Sequence, residues 1–561
     1  MKAITTIFTA VLLAGTSSAA LAATPDARIQ SLEDQIQSLA KQLQDLKADA
    51  AQQQQAVQAQ QDALKKSQAE AAMQQAEYKK QQTTAAKASI NNGRLAVTSA
   101  DGNFTAAVRG LLQVDSGYYM QQGSATSLPL AYGPDLSSGT NLRRVFLGLQ
   151  GKVFGDWNYY FLYDFGGTSV ETPGHILYAY MQYDGLAPWS FRVGAYPAPI
   201  NIEDSTASGD LMFFERNSPS NLQRNIAGSE GRDGISVFYT GERLYGALSL
   251  TGNKISDGAK AYGAMGGTSV PNYDEQTAVS GRLSYMPVST AEAHWIVGVN
   301  GLDVFSLPNL VPNGAASLAT VPGATAKGTY SFADLPEFSV DSNGISLVST
   351  GALAASHVTS WGLETAGNYD NFYGQAGYSG YAIRRTPIAY NVYSAAGTFA
   401  ATPVQPSNNS FSGWYAQASW IVTGENRIYN PATASFTGPK VSKPLSIKDG
   451  TWGALEFAAR FSDLNLNSHK DDAANVVTAW TGASRTYTYY NTVRGGDQRI
   501  VTLGVNWYPN TAIKISADYQ YIDVTRLQAP AAVTTAATPA LASVNGGQKL
   551  STVAMRFQLS L

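Results

Sequence analysis

From about residue 93 to its end, the chain alternates between apolar and polar side chains with a period of two. This pattern predicts β-strands separated by turns rich in Gly, Asn, Asp and Pro. The last strand shows it most clearly, because its alternate positions are apolar: Val553, Met555, Phe557, Leu559 and Leu561. A strand that ends together with the chain suits a closed barrel, in which the last strand pairs with the first and no edge is left open.

A soluble β-sandwich also alternates in this way, and three further features favour a membrane barrel. Aromatic residues lie near the strand ends, where an interfacial girdle would lie. The strands reach about ten residues, which is longer than is usual in soluble sheets. Short turns such as Gly155-Asp156 and Pro509-Asn510 alternate with long polar connections such as Pro197 to Glu230, and this asymmetry is typical of outer-membrane barrels.

A helical pattern precedes the strands. The chain has no Gly or Pro between Asp26 and Ser89, and apolar residues recur there at spacings of three and four: Ile29, Leu32, Ile36, Leu39, Leu43 and Leu46. This is the seam of a coiled coil for three heptads, and it weakens afterwards because the later d-positions are polar. We therefore predict an arm at residues 23–89 that self-associates to bury the seam. The alternative is an Ala- and Gln-rich spacer that is helical only near its start.

The first residues have the pattern of a secretory signal. Lys2 precedes a short apolar stretch, Ile4 to Gly15, and Ala20-Leu21-Ala22 fits the small-x-small cleavage rule. We predict a signal peptide at residues 1–22. Because no later run approaches about 18 apolar residues, no transmembrane helix is predicted in the rest of the chain.

Composition narrows the range of functions. Charged residues make up only 14% of the chain, against about a quarter in a typical soluble protein, and the net charge of −3 argues against nucleic-acid binding. There is no cysteine, so disulfides and thiolate chemistry are excluded. The four histidines lack metal-ligand spacing: His175, His294, His357 and His469. We predict no enzyme activity, no metal site and no cofactor.

Five segments in order resemble the phosphate-selective porin O and P family, and the resemblance covers about Arg94 to Leu561. They are Arg143-Arg144 with the later turn Asp156-Trp157, Phe214-Glu215-Arg216, Phe411 to Arg427, Trp452 to Phe461, and Gly495 to Asn510. The resemblance implies an all-β transmembrane barrel of sixteen antiparallel strands at residues 90–561, preceded here by the α-helical coiled-coil arm. It also implies a homotrimer with one pore per subunit, a long loop folded inward, and basic residues along an anion path.

The candidate pore residues follow from strand parity and from the long connection between Pro197 and Glu230. Four basic residues share the polar faces of their strands: Arg109, Arg144, Lys152 and Arg192. Three more lie in or just after the long connection: Arg216, Arg224 and Arg232. Rings of Arg and Lys are how anion pores replace the hydration of an ion. Arg143 has the opposite parity and is predicted at the rim, and the alternative for Arg216 is a structural ion pair with Glu215.

These patterns leave three functional hypotheses. The first is a passive outer-membrane channel for small anions such as phosphate. The second is a general porin for small solutes, motivated by the stretch from Asn92 to Val108, where Arg94 is the single basic residue and the resemblance implies several lysines. The third is a tether in which the arm contacts the cell wall. All three place the barrel in outer-membrane lipid and the arm in the periplasm.

Overall fold

The computed structural model describes residues 25–91, 93–121, 134–167, 174–226, 231–255, 264–265, 268–269, 275–308, 328–393, 399–472, 474–481, 484–528, 544–545 and 547–561. The chain divides into two compact units, Met1–Ala85 and Ala86–Leu561. The predicted signal peptide at residues 1–22 lies outside the described residues.

Within its described residues, the first unit contains one long helix, α1, which runs without a break from Pro25 to Thr84. The prediction of a spacer that is helical only at its start is therefore wrong. The helix ends before the predicted limit at Ser89, because a strand begins at Lys87. Its seam residues are each more than half exposed, from Ile29 at 55% to Leu46 at 67%, so the apolar stripe is uncovered in the single chain. None of the described helices combines the length and apolarity needed to cross a bilayer.

The second unit is built on sixteen long antiparallel strands, which confirms the predicted barrel. They are β1 (Thr105–Met120), β2 (Gly139–Val153), β3 (Trp157–Asp164), β4 (His175–Leu186), β5 (Trp189–Tyr196), β6 (Arg232–Thr240), β7 (Leu244–Lys254), β8 (Thr277–Ser289), β9 (Ala293–Ser306), β10 (Leu353–Tyr369), β11 (Phe372–Arg385), β12 (Asn409–Ile421), β13 (Ala454–Ser468), β14 (Val493–Tyr508), β15 (Ile513–Thr525) and β16 (Gln548–Ser560). Each strand pairs with its neighbours in the chain, so the sheet is a simple meander.

The last strand closes the barrel as its pattern predicted. β16 pairs with β15 on one side and with β1 on the other, where Leu559 lies opposite Leu112. The final residue takes part as well, because Leu561 and Gly110 exchange two backbone hydrogen bonds of 2.8 and 3.1 Å. Closure satisfies the backbone groups of both terminal strands, which a strand edge in lipid would leave unpaired.

Alternation separates a lipid-facing surface from the lumen. On β16, Val553, Met555 and Phe557 are exposed on the outer face, whereas Arg556 and Gln558 are buried inside. Because these inward polar side chains are buried, other segments of the protein must cover them inside the lumen. The alternating pattern therefore sets the outward apolar face for lipid, while the inward face meets folded connections.

The remaining elements lie before and between the barrel strands. A hairpin of Lys87–Asn91 and Arg94–Thr98 adds to the start of β1, where Ala96 lies opposite Ala107. Two short helices, α2 (Ile202–Ser205) and α3 (Ser218–Ile226), follow β5. Short strands occupy the other connections: Ala264–Met265, Thr268–Ser269, Thr329–Tyr330, Ala333–Asp334, Val348–Ser349, Ile388–Tyr393, Phe399–Val404, Arg427–Asn430, Ser435–Pro439, Asn475–Thr481, Ser484–Tyr489, Leu527–Gln528 and Val544–Asn545.

Candidate functional site within the barrel lumen

The connection after β5, here called the inward loop (residues 197–226), folds into the barrel as predicted. Strands around the barrel donate hydrogen bonds to its backbone carbonyls: Gln558 to Gly209 at 2.9 Å, Asn506 to Met212 at 2.9 Å, and Tyr381 to Pro219 at 2.6 Å. These donors belong to β16, β14 and β11, so the loop reaches across the lumen. The side chains of Phe214, Leu222 and Ile226 are buried in an apolar cluster inside the barrel.

Glu215, near the middle of the inward loop, is held by three arginines of the wall. Its carboxylate accepts hydrogen bonds from Arg143 at 2.6 Å, Arg144 at 3.1 Å and Arg556 at 3.4 Å. Arg556 also forms a two-pronged pair with Asp115, at 2.6 Å for both contacts. Burial by itself would raise the pKa of Glu215, but the three guanidinium groups outweigh it and hold this pKa well below its usual range.

The position of Arg143 corrects the parity argument, which placed it at the rim. In the pairing of β1 with β2, Gln113 lies opposite Arg144 and Val114 lies opposite Leu142, so Arg143 is the extra residue of a β-bulge. A bulge interrupts the alternation and turns two successive side chains to one face. Arg143 and Arg144 are therefore both buried in the lumen, and the rim prediction is wrong.

Two other connections also enter the lumen and are fixed by ion pairs. In the segment between β9 and β10, Glu337 pairs with Arg460 of β13 and accepts a hydrogen bond from the Ser218 backbone at 2.7 Å. The hairpin between β12 and β13, here called the inward hairpin (residues 427–439), enters from the end with short turns. Its Arg427 forms a bidentate pair with Glu456, at 2.8 and 3.0 Å. Removing water from a charge is costly unless the charge is paired, so these arginines serve structure.

A cavity of about 580 Å³ remains between the wall, the inward loop and the inward hairpin. Six basic side chains line it: Arg94, Arg109, Arg192, Arg216, Arg224 and Lys514. Two acidic side chains line it as well, Asp204 and Asp210. The excess of basic groups gives the cavity a positive potential.

Two of these arginines belong to the wall and have no acidic partner among the described residues. Arg109 has no carboxylate within salt-bridge distance, and its buried Nε lacks a hydrogen-bond partner in the described part of the chain. Arg192 donates its Nε–H to the side-chain carbonyl of Gln182 at 2.9 Å. Because no described carboxylate forms an ion pair with either guanidinium, both groups keep their charge available to an ion in the cavity.

Two cavity arginines come from the inward loop and are more strongly held. Arg216 donates to the backbone carbonyls of Glu203 and Thr206, at 2.9 and 3.0 Å. These contacts differ from the predicted alternative, which was an ion pair between Arg216 and Glu215. They nevertheless hold the Arg216 side chain in place, as that ion pair would. Arg224 pairs with Asp204 at 2.7 Å, so its charge is partly cancelled.

The other three predicted pore residues lie outside the cavity lining. Arg144 is buried and bonded to Glu215 and Gln113. Lys152 is exposed near the end of β2 with the short turn, and Arg232 is almost fully buried and donates to the Gly252 carbonyl. For these three residues a role in an anion path stays a prediction.

Sequence reasoning missed two basic residues of the cavity and its aromatic lining. Lys514 shares the polar face of β15, so parity alone could have found it. Arg94 precedes β1 in the added hairpin, and no periodic pattern places it. The described residues contain no group of His, Cys, Asp and Glu that could hold a metal ion.

Comparison with known proteins agrees with this architecture. The model of the family described as phosphate-selective porin O and P matches residues 122–546. Porin O of Pseudomonas aeruginosa is 26% identical over 444 residues, which cover 76% of this chain and 85% of that protein.

Solved structures similar to the chain include the outer membrane channel DcaP of Acinetobacter baumannii, with 9% identity and a TM-score of 0.40. The alignment covers 82% of this chain and 98% of that one. An anion-selective porin from Comamonas acidovorans has 9% identity and a TM-score of 0.39, with 82% and 100% covered. Since the family model matches well over half of the chain, the protein belongs to the phosphate-selective porin O and P family and is an outer-membrane channel for small anions, not an enzyme.

Proposed function

We propose that small anions, phosphate-like ions among them, cross the barrel through the cavity at Arg109 and Arg192. The observation that carries this proposal is the charge of the cavity, which has six basic and two acidic side chains in its lining. Arg109 and Arg192 add to it because no described carboxylate pairs with either of them.

The physical steps follow from the chemistry of these groups. The positive potential raises the local concentration of anions at the mouth of the cavity. An ion that enters sheds part of its hydration, and guanidinium N–H groups replace the lost water as donors. Arginine suits phosphate because its planar fork matches two oxygens at once. Several such sites in series let the ion leave again, which a single strong site would prevent.

Reversal potentials in a planar bilayer under a KCl gradient test this proposal. We expect the wild-type channel to prefer anions, and the double variant with Arg109→Gln and Arg192→Gln to lose most of that preference. The matched control is Arg499→Gln, because Arg499 is 58% exposed and lies on the outer face, paired with Asp463. A cation preference of the wild-type channel would sink the proposal.

The choice between a phosphate-preferring channel and a general porin needs a second measurement. Added phosphate should reduce the chloride current if phosphate occupies the cavity for longer than chloride does. A chloride current that phosphate does not reduce would favour the general porin, which is motivated by the presence of only one basic residue between Asn92 and Val108.

We further propose that α1 lies in the periplasm and joins three copies of the chain through its seam. The support is the uncovered apolar stripe of the helix, whose residues remain more than half exposed in the single chain. Seam variants Leu32→Gln and Leu39→Gln should weaken the oligomer in cross-linking and gel filtration. Ser31→Gln and Ser38→Gln, their neighbours on the helix, should leave it intact.

The cell-wall tether is a second candidate for the arm, since a continuous helix of 60 residues can extend roughly 90 Å at 1.5 Å per residue. Deletion of residues 26–84 distinguishes the two roles. Loss of co-sedimentation with peptidoglycan, with the oligomer intact, would support the tether. Loss of the oligomer alone would exclude it.

A further inference from the structure

One side of the cavity is built from aromatic side chains. Strands β3, β4, β6 and β7 contribute these residues to the lining: Tyr160, Tyr178, Tyr180, Phe238 and Tyr245. We call this surface the aromatic wall. It forms where four strands place rings on the inward face, and Arg192 of β5 lies among them.

The rings of the aromatic wall hold one another in fixed orientations. Tyr160 and Tyr178 stack with their centroids 4.9 Å apart and their planes within 8°. Tyr180 meets Tyr160 edge-on at 5.9 Å. These three rings are partly exposed, whereas Phe238 and Tyr245 are buried. The wall therefore presents accessible aromatic surface on a packed support.

A cation lies directly on this surface. The guanidinium carbon of Arg192 is 4.2 Å from the ring centroid of Tyr180 and 4.6 Å from that of Phe238. Gln182 fixes the orientation of the group through its Nε–H. Arg109 lines the same cavity. Positive charge and flat apolar surface are thus adjacent.

Inorganic phosphate makes poor use of this arrangement. It carries oxygens on every side and is stabilised by hydrogen-bond donors, which the face of an aromatic ring does not supply. An anion with a flat apolar group beside its charge can instead place the charge on the guanidinium groups and the flat group against the rings. The cavity of 580 Å³ is also within the range of about 300–1,000 Å³ that is usual for small-molecule sites.

We propose that the cavity contains a binding subsite for organic anions with an aromatic group next to the charge, such as aryl phosphates. Arg109 and Arg192 hold the anionic group, and Tyr160, Tyr178 and Tyr180 contact the ring. This inference rests on the proposed function, because it requires anions to enter the cavity.

The first test compares two anions with the same head group. Phenyl phosphate and methyl phosphate are added in turn to the wild-type channel in a planar bilayer, and the block of the chloride current is titrated. Phenyl phosphate should block about two- to tenfold more tightly, which is the range expected for an aromatic contact. Cyclohexyl phosphate, with a similar apolar size but no flat ring, should fall between the two.

The second test removes the accessible rings. The double variant with Tyr160→Leu and Tyr178→Leu should lose the preference for phenyl over methyl phosphate. Tyr521→Leu is the matched control, because Tyr521 is exposed on the outer face of β15, and it should keep the preference. A preference that persists in the double variant would overturn the assignment of these rings.

The comparison of phenyl with methyl phosphate on the wild-type channel tests the proposed subsite even if the double variant fails to fold. Equal block by phenyl and methyl phosphate in an anion-preferring channel would overturn this inference and leave the proposed function standing. A channel that prefers cations would overturn the proposed function itself, and the reversal potential reports that result separately.

Discussion

The two sides of the lumen use arginine in opposite ways. On the side formed by β1, β2, β13 and β16, four arginines are buried against carboxylates: Arg143, Arg144, Arg460 and Arg556. On the side of the aromatic wall, Arg192 lies over rings and has an amide as its hydrogen-bond partner. Residue type and inward orientation are the same on both sides, so the partner decides whether an arginine anchors a loop or faces the cavity.

Part of the difference arises from the inward segments, although Asp115 of β1 also pairs with Arg556 and the rings of the aromatic wall belong to strands. Glu215 and Glu337 both belong to connections, and they bring negative charge to one side of the barrel. A buried guanidinium is tolerated there because its attraction to a carboxylate offsets the free energy lost with its hydration. On the other side, ring faces stabilise the cation without cancelling its charge. Arg192 therefore remains a source of positive potential.

The largest expected effect comes from breaking the anchoring side. Glu215→Gln removes the shared partner of Arg143 and Arg144, and the loss of one member of a buried ion pair costs about 3–5 kcal/mol. We expect faster amide hydrogen exchange across residues 197–226 and a noisier single-channel current. Asp463→Asn is the control, because its partner Arg499 is largely exposed and such pairs contribute about 0–1 kcal/mol. Unchanged exchange in Glu215→Gln would contradict the anchoring role.

A pH dependence should follow from Asp334, a buried residue of the segment between β9 and β10. Burial raises its pKa to about 7, and Asn221 of the inward loop donates to its carboxylate. The ordinary pKa of an Asp carboxyl group is near 3.8. At pH values between 3.8 and 7, Asp334 therefore binds a proton in the packed segment and releases it when the segment opens. Rising pH thus favours opening. Hydrogen exchange of residues 330–350, corrected for intrinsic rates, should therefore increase up to about pH 7 and then level off.

Asp334→Asn provides the control for this titration. The amide cannot ionise, so the exchange of residues 330–350 should no longer depend on pH in this window. A pH dependence that survives the substitution would show that Asp334 is not the titrating group.

The smallest expected effect concerns the cavity itself. Asp204→Asn removes the partner of Arg224, so the cavity gains about one positive charge. We expect roughly a twofold increase in the anion-to-cation permeability ratio, as a unit charge several ångströms away in a wet pore would give. Asp449→Asn, an exposed residue in the connection between β12 and β13, should leave the ratio unchanged. No change in Asp204→Asn would place Arg224 outside the ion path.

The sequence by itself determined the strands, the closure at Leu561 and the inward parity of Arg109 and Arg192. These features follow from a period of two, which is local and needs no knowledge of the partner strand. The helix of α1 was equally readable, because spacings of three and four residues are also local. Family motifs added the number of strands.

Only the tertiary structure decided which arginines are paired and which face the cavity. Arg143 turned inward because a bulge in β2 broke the alternation, and alternation carries no signal for a bulge. Glu215 meets Arg556 across 341 residues of chain, so no local pattern could assign this pair. The aromatic wall likewise combines rings from four strands. Such contacts depend on how the connections fold into the lumen, and this is decided by packing and charge pairing over long distances.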